Sequence, residues 1–318
     1  MMTRAFRFGV QTSQLPAENW REHVRHIESL GYSTLFVPDH FGPQWEPATT
    51  LAAVAAATRR LRVGSLVYGV DYRHPVVLAK SAATLQLLSG GRHEFGLGAG
   101  WMETDYREAG LPYDRPGVRI DRLEEALQVI RSMWSQERTS FEGRHYRTQE
   151  IATAVEGLSP DASPRLLVGG GGPRLLGVAG RHADIVGINP KLPEGRVTAD
   201  TALDMGPEKV AEKVARVREA AHRAGRDPHA IELQSLVFVT ALHDDPKAIR
   251  DALARNTGMD VADVARCPLY LTGPASEVRD LLEQRREEHG ISYVVIQGGD
   301  VAMLERFAAD VMAPLLRA

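Results

Sequence analysis

The sequence predicts an α/β fold, a (β/α)8 TIM barrel with insertion segments, and three observations carry that prediction. Short apolar runs rich in β-formers alternate with longer amphipathic stretches along the whole chain, the pattern of repeated βα units. Eight such runs can be counted, and several are apolar nearly throughout, as parallel strands covered on both faces should be. Glycines gather where several of these runs end, which is where barrels of this class build their sites. An open doubly wound sheet would also alternate, but the turn after the first run, "GVQTSQLP", carries no phosphate fingerprint.

The eight strands are read at 6–12, 33–38, 61–68, 93–98, 165–170, 183–188, 231–240 and 292–297. The first helical stretch, "AENWREHVRHIESLG", repeats Trp20, Val24, Ile27 and Leu30 at helical spacing, and Gly31 stops it. Further helices are expected over 47–58, 76–89, 119–136, 173–181, 207–224, 246–257, 275–289 and 300–316. Two excursions break the rhythm. Residues 137–164 include "TSFEGRHYRT", a small hairpin around Glu142 and Gly143, and residues 189–206 follow the sixth strand as either a lid or surface padding. The stretches 101–118, 189–206 and 258–275 read as loops without a motif, and the charges of "DYREAG" as mostly a solvated helix face. No linker marks a boundary, so residues 1–318 are expected to form one domain.

Composition narrows the function. A net charge of −3 over 318 residues offers no footprint for nucleic acid or an anionic membrane. Cys267 is the one cysteine, which excludes an intrachain disulfide or a multi-cysteine metal cluster and suits a reducing compartment. The start "MMTRAFRFGV" has no apolar signal core and no run reaches membrane-span length, so the expected location is the cytoplasm. Histidine spacings match no metal site, and no metal is expected.

The candidate site begins at "TLFVPDHF", where a buried strand ends in Asp39 and His40. Such a pair is either an aspartate cap beside a carbonyl-bonded histidine, or an imidazole working near neutral pH with a carboxylate to orient it. "FGLGAGW" places Gly98, Ala99, Gly100 and Trp101 at the fourth strand end. "LLVGGGGPRLLG" places Gly169, Gly170, Gly171 and Gly172 before a helix, where backbone N–H groups suit a phosphate, although tight βα turns use glycine for steric reasons too. Trp45 and Trp101 are packing residues by default; beside strand ends they could also line a flat aromatic ligand.

With these residues in view, the chain resembles the bacterial luciferase-like superfamily, in its branch of coenzyme F420-dependent oxidoreductases. "VPDHF", "RLRVGSLVYGVDYRHPVVLAKSAATLQLLSGGRHEFGLGAGW", "RLEEALQVIRSMWS" with "FEGRHYR", and "LLVGGGGPRLLGVAGRHADIVGI" occur in family order, over nearly the whole chain. The resemblance implies that Asp39 and His40 lie at a deazaflavin ring, with His40 in acid–base chemistry and Trp45 nearby. It implies a non-proline cis peptide behind the ring, best matched by Ser65–Leu66. It sets Gly98, Ala99, Gly100 and Trp101 beside the cofactor, and Gly169 through Gly172 at its phosphate-bearing tail. Trp101 stands where sugar-phosphate dehydrogenases of this kind carry an acid, which argues against glucose-6-phosphate oxidation and leaves Trp101 to narrow the substrate pocket.

The implied function is F420-dependent hydride transfer with a small organic substrate, favouring reduction of an activated C=C or C=N bond. An FMN-dependent two-component monooxygenase is the first alternative and a non-catalytic flavin-binding protein the second; a cofactor-free barrel such as an isomerase is a residual one. Implied partners are the small-molecule substrate, an F420-reducing enzyme or flavin reductase that supplies the cofactor, and a second copy of the chain in a homodimer.

Overall fold

The computed structural model describes residues 4–152, 155–192 and 199–317. Among them, eight parallel strands follow one another around a closed barrel: β1 (Arg7–Gln11), β2 (Thr34–Val37), β3 (Arg62–Ser65, resumed at Tyr68–Gly69), β4 (His93–Gly98), β5 (Arg165–Gly170), β6 (Ile185–Ile188), β7 (Glu232–Val237) and β8 (Ile291–Gln297). Closure is direct, with Arg7 opposite Tyr293 between β1 and β8, and Val63 opposite His93 between β3 and β4. β2, β4 and β6 are buried at every position, which is why their sequences read as unbroken runs rather than as alternation.

Helices cover the outside: α1 (Trp20–Ser29), α2 (Pro47–Ala57), α3 (Pro75–Leu88), α4 (Glu103–Ala109), α5 (Pro116–Ser135), α6 (Pro173–His182), α7 (Ala199–Leu203), α8 (Pro207–Arg223), α9 (Lys247–Thr257), α10 (Val261–Arg266), α11 (Ala275–His289) and α12 (Val301–Phe307), after which the chain stays helical to Arg317. Their buried stripes are those the spacing marks. α1 buries Val24 and Ile27, and α5 buries Leu123, Leu127, Ile130 and Trp134. Proline opens α2, α3, α5, α6 and α8, where its missing N–H costs nothing. No helix among the described residues is long and apolar enough to cross a membrane.

The excursion near 140 is an antiparallel hairpin of Arg138–Glu142 and Arg147–Ala152. Two expectations need correction, and a third falls partly outside the described residues. The run 231–240 is not one strand: β7 ends at Val237, and Val239–Leu242 leaves the barrel to pair with Tyr270–Gly273. The presumed loop 101–118 contains α4, and 258–275 contains α10. Within 189–206, residues 193–198 lie outside the described residues, so the lid expectation is left with α7 alone.

The barrel's N-terminal end is sealed by charge. Glu94 accepts from Arg7, from Arg62 Nε at 2.8 Å and from the Tyr293 hydroxyl at 2.9 Å. Glu232 pairs with Arg7 at 2.8 Å and Arg165 at 2.7 Å. Burial pushes the Glu94 carboxyl up, but the Arg7 and Arg62 guanidiniums more than reverse this and hold it below its ordinary value.

Candidate functional site

At the opposite, C-terminal end of the strands lies a cavity of about 720 Å³. It is assembled from all sides of the barrel: Gln11 and Gln297 from β1 and β8, the turns after β2, β3 and β4, the glycine run after β5, Asn189 after β6, and Leu236 and Phe238 from the β7 end. Size and position are those of a small-molecule site in this architecture.

One wall is apolar backbone and side chain. Leu66 and Val67 interrupt β3, with a cis peptide bond between them, one bond beyond the Ser65–Leu66 expectation. The Leu66 carbonyl accepts from Gln11 Nε2 at 2.7 Å, and Gln297 Nε2 donates to Gln11 Oε1 at 3.0 Å. The Val67 side chain reaches across to Gly98 so closely that a Cβ at that position would meet its methyl at 2.6 Å. Gly100 turns the chain with φ of 71°, and a Cβ there would overlap the Tyr106 hydroxyl. The two glycines thus let the Val67 and Tyr106 side chains pack directly against the turn after β4.

His40 is held by a residue that sequence reading assigned elsewhere. Its Nδ1 lies 2.6 Å from Asp105 Oδ2, on α4, and its ring meets Trp101 edge-on with centroids 5.6 Å apart. Asp105 is buried and also accepts from Phe41 N at 3.3 Å and the Tyr72 hydroxyl at 3.2 Å. With Nδ1 engaged, Nε2 of His40 has no protein partner among the described residues. Asp39 does not serve His40. Its carboxylate binds Arg73 Nη1 at 2.6 Å and Nη2 at 3.2 Å and accepts from Gly69 N at 3.0 Å. Consecutive side chains leaving an extended strand diverge, which separates the two neighbours.

The glycine run leads into α6. Gly171 has no room for a Cβ because the Asn189 and Pro190 backbone lies against it. Gly172 caps α6 without a side-chain hydrogen bond, leaving backbone N–H groups at a positive helix end. Below the turn, buried Lys213 donates to the Gly171 carbonyl at 3.0 Å and to Asp204 at 2.5 Å. Burial lowers the Lys213 ammonium below its ordinary value despite Asp204.

Of the residues singled out from sequence, Asp39, His40, Leu66, Gly98, Ala99, Gly100, Trp101 and Gly169 through Gly172 all line the cavity. Ser65 and Trp45 do not. Ser65 is fully buried beneath the wall, and Trp45 packs on the outer core, its N–H donating to Ser13 O at 3.1 Å. Sequence reading missed Asp105, Tyr72, Arg119, Gln44 and Asn189. "DYREAG" held a signal: Asp105 and Tyr106 are buried while Arg107 and Glu108 are exposed, so its charges are not all a solvated face.

A family described as luciferase-like monooxygenase matches residues 1–293. An F420-dependent glucose-6-phosphate dehydrogenase of Intrasporangium calvum is 29% identical, covering 92% of this chain and 93% of its own. A phthiodiolone/phenolphthiodiolone dimycocerosates ketoreductase of Mycobacterium bovis is 31% identical, covering 86% of this chain and 79% of its own. Among solved structures, the coenzyme F420-dependent tetrahydromethanopterin reductase of Methanopyrus kandleri superimposes with a TM-score of 0.78 over 98% of this chain and 100% of that one. Their identity is 19%, so this likeness speaks for the fold.

Proposed function

The chain belongs to the luciferase-like monooxygenase family, and on that premise we infer that it is an F420-dependent oxidoreductase acting on a small organic substrate. When bound, F420 supplies or accepts a hydride at C5 of its deazaflavin. The residues present fit such a group. Leu66, Val67 and Gly98 form an apolar wall, the start of α6 at Gly172 presents backbone N–H groups without a side-chain cap, and Asn189 Oδ1 is buried at the cavity without a partner among the described residues.

The observation that carries the reaction class is the His40–Asp105 pair at the cavity wall. Asp105 fixes the imidazole through Nδ1, so Nε2 is the atom left to exchange a proton with substrate. A secondary alcohol must lose a hydroxyl proton when its carbon loses hydride, and a ketone must gain one on reduction. His40 takes that proton in one direction and returns it in the other. Trp101 and Phe238 add apolar surface to the same cavity. Alcohol–ketone interconversion is therefore the first reading. Trp101, in place of an acid, argues against glucose 6-phosphate as the alcohol.

Reduction of an activated C=C or C=N bond is the second reading, favoured by the apolar surface of Leu66, Val67, Leu236 and Phe238. It uses the same hydride and the same proton. Reduced F420 offered with a ketone, an enone and an imine in parallel, with reoxidation followed by absorbance, separates the readings. Turnover of the ketone that disappears in His40→Ala supports the first. Turnover of the enone or imine alone supports the second, and oxygen uptake with reduced FMN but no reaction with F420 would replace both by a monooxygenase.

A further inference from the structure

Gln11, Gln44 and Gln297 all line the cavity, and they are not alike. Gln11 Nε2 donates to the Leu66 carbonyl at 2.7 Å and Gln297 Nε2 donates to Gln11 Oε1 at 3.0 Å, so both are bound into the wall. Gln44 is half-buried, yet its Oε1 is inaccessible and has no hydrogen-bond partner among the described residues. An amide oxygen in that condition is completed by a donor, and the same carboxamide carries N–H donors beside it. The turn that holds Gln44 is fixed on both sides. Gln44 N donates to Gly42 O at 2.6 Å, the Gln14 side chain donates to Pro43 O, and Trp45 N donates to Ser13 O at 3.1 Å. Glu46 then caps α2 by accepting from Thr49 N at 2.7 Å. The unpartnered oxygen therefore has a set position, four residues after His40 on the turn that follows β2, and both side chains line the same cavity.

The charges of the wall say what kind of donor is wanted. Asp39 is paired with Arg73, His40 with Asp105, and Lys191 Nζ lies 3.9 Å from Asp204 Oδ1. Arg119 donates to Gly100 O at 2.6 Å and to the Tyr113 and Tyr106 hydroxyls. Each charged side chain that lines the cavity thus already has partners in this chain, and an ionised substrate group beside Gln44 would lie there without a counter-charge. A neutral hydroxyl matches the carboxamide at no such cost. Trp101, Met102 and Phe238 on the same cavity suit an uncharged carbon skeleton behind it.

We propose that Gln44 is a specificity-determining residue that takes a second, neutral hydroxyl of the substrate, near the oxygen that His40 serves. The substrate class is then a hydroxy ketone and its matching diol, uncharged at this end. The carbonyl carbon of the hydroxy ketone takes the hydride, its oxygen takes the proton from His40, and the second hydroxyl leaves the reaction unchanged, its O–H donating to Gln44 Oε1. This role rests on the alcohol–ketone reading above.

Steady-state reduction of hydroxyacetone and of butanone, in which a methyl replaces the hydroxyl, would be followed with reduced F420 on the wild-type chain and on Gln44→Met. Gln44→Met is expected to lower kcat/KM for hydroxyacetone by roughly tenfold to a hundredfold, the range of one hydrogen bond lost in a buried site, and to leave butanone within about threefold. The difference in electrophilicity between the two ketones cancels, because each is compared with itself across the variants. Gln44→Leu repeats the comparison if Gln44→Met does not fold. Equal loss for both ketones marks a structural role and overturns the proposal, as does an unchanged ratio. If the wild-type chain reduces neither ketone, the alcohol–ketone reading fails by itself. Saturation-transfer NMR of the two ketones on the chain then decides the role of Gln44: stronger binding of hydroxyacetone that is lost in Gln44→Met upholds it, and equal binding or none overturns it.

Discussion

At the N-terminal end of the barrel, Glu94 and Glu232 are buried, yet Arg7, Arg62, Arg165 and Tyr293 meet them, while at the C-terminal end Arg119, Asn189 and Gln44 leave buried polar atoms without partners among the described residues. Burying a polar group is unfavourable until it is hydrogen-bonded, so the carboxylates of the first end are satisfied as they stand, while the second end lines its cavity with polar atoms that a ligand would satisfy. Within the second end the contrast repeats. Asp39 is bonded by Arg73 and Gly69, while His40 has one nitrogen fixed by Asp105 and the other without a partner among the described residues. The difference separates residues that hold the barrel from residues that work in it.

Substitutions at the two ends should therefore fail in different assays. The largest effect is expected at His40. His40→Asn should lower turnover by roughly 10²- to 10⁴-fold, the usual weight of a general acid–base group, with unfolding free energy within about 1 kcal/mol of wild type. Urea denaturation alongside steady-state rates checks both halves. Glu94→Ala should do the reverse: it leaves Arg62 without its carboxylate and Arg7 with Glu232 alone, and is expected to cost about 3–5 kcal/mol of stability, while folded protein keeps its affinity for the ring.

A pH effect of similar origin is expected from His93, which is buried on β4 with Nδ1 3.2 Å from the Ala82 carbonyl. Burial is the main cause that lowers its imidazole from 6.5 to about 4. Between those values the unfolded chain binds a proton that the folded chain refuses. The stability contributed is whole above pH 6.5 and falls as pH drops toward 4, by about 3 kcal/mol. Denaturation at a series of pH values should show that slope, and His93→Gln should flatten it. The smallest effect is expected from Asp105→Asn, which keeps the shape but not the charge facing His40. A loss of about tenfold in turnover, with ring affinity unchanged, would mark Asp105 as a positioning residue that acts through His40.

The barrel was legible because its strands are buried on both faces, so that "TLFV" and "IVGI" announce themselves without reference to anything distant. The helix stripes and proline starts were legible for the same local reason. What sequence reading missed depends on contacts between distant residues. His40 and Asp105 are 65 positions apart, and nothing beside His40 announces that its carboxylate comes from α4 rather than from Asp39. Trp45 follows Asp39 and His40 closely in the chain, but the turn carries it onto the outer core. The run 231–240 contains no glycine or proline to mark a break, yet Phe238 N bonds Leu269 O at 2.8 Å and starts a second small sheet. Arg119 has the ordinary look of a charge on a helix, and only the fold shows that it faces a cavity.

The central claim is that the open end of the barrel is an F420 site. Equilibrium fluorescence titration of the purified chain with F420 and, in parallel, with FMN tests it most directly. Saturable binding of F420 with at most weak binding of FMN is the expected result. Tight binding of FMN with none of F420 would contradict the account.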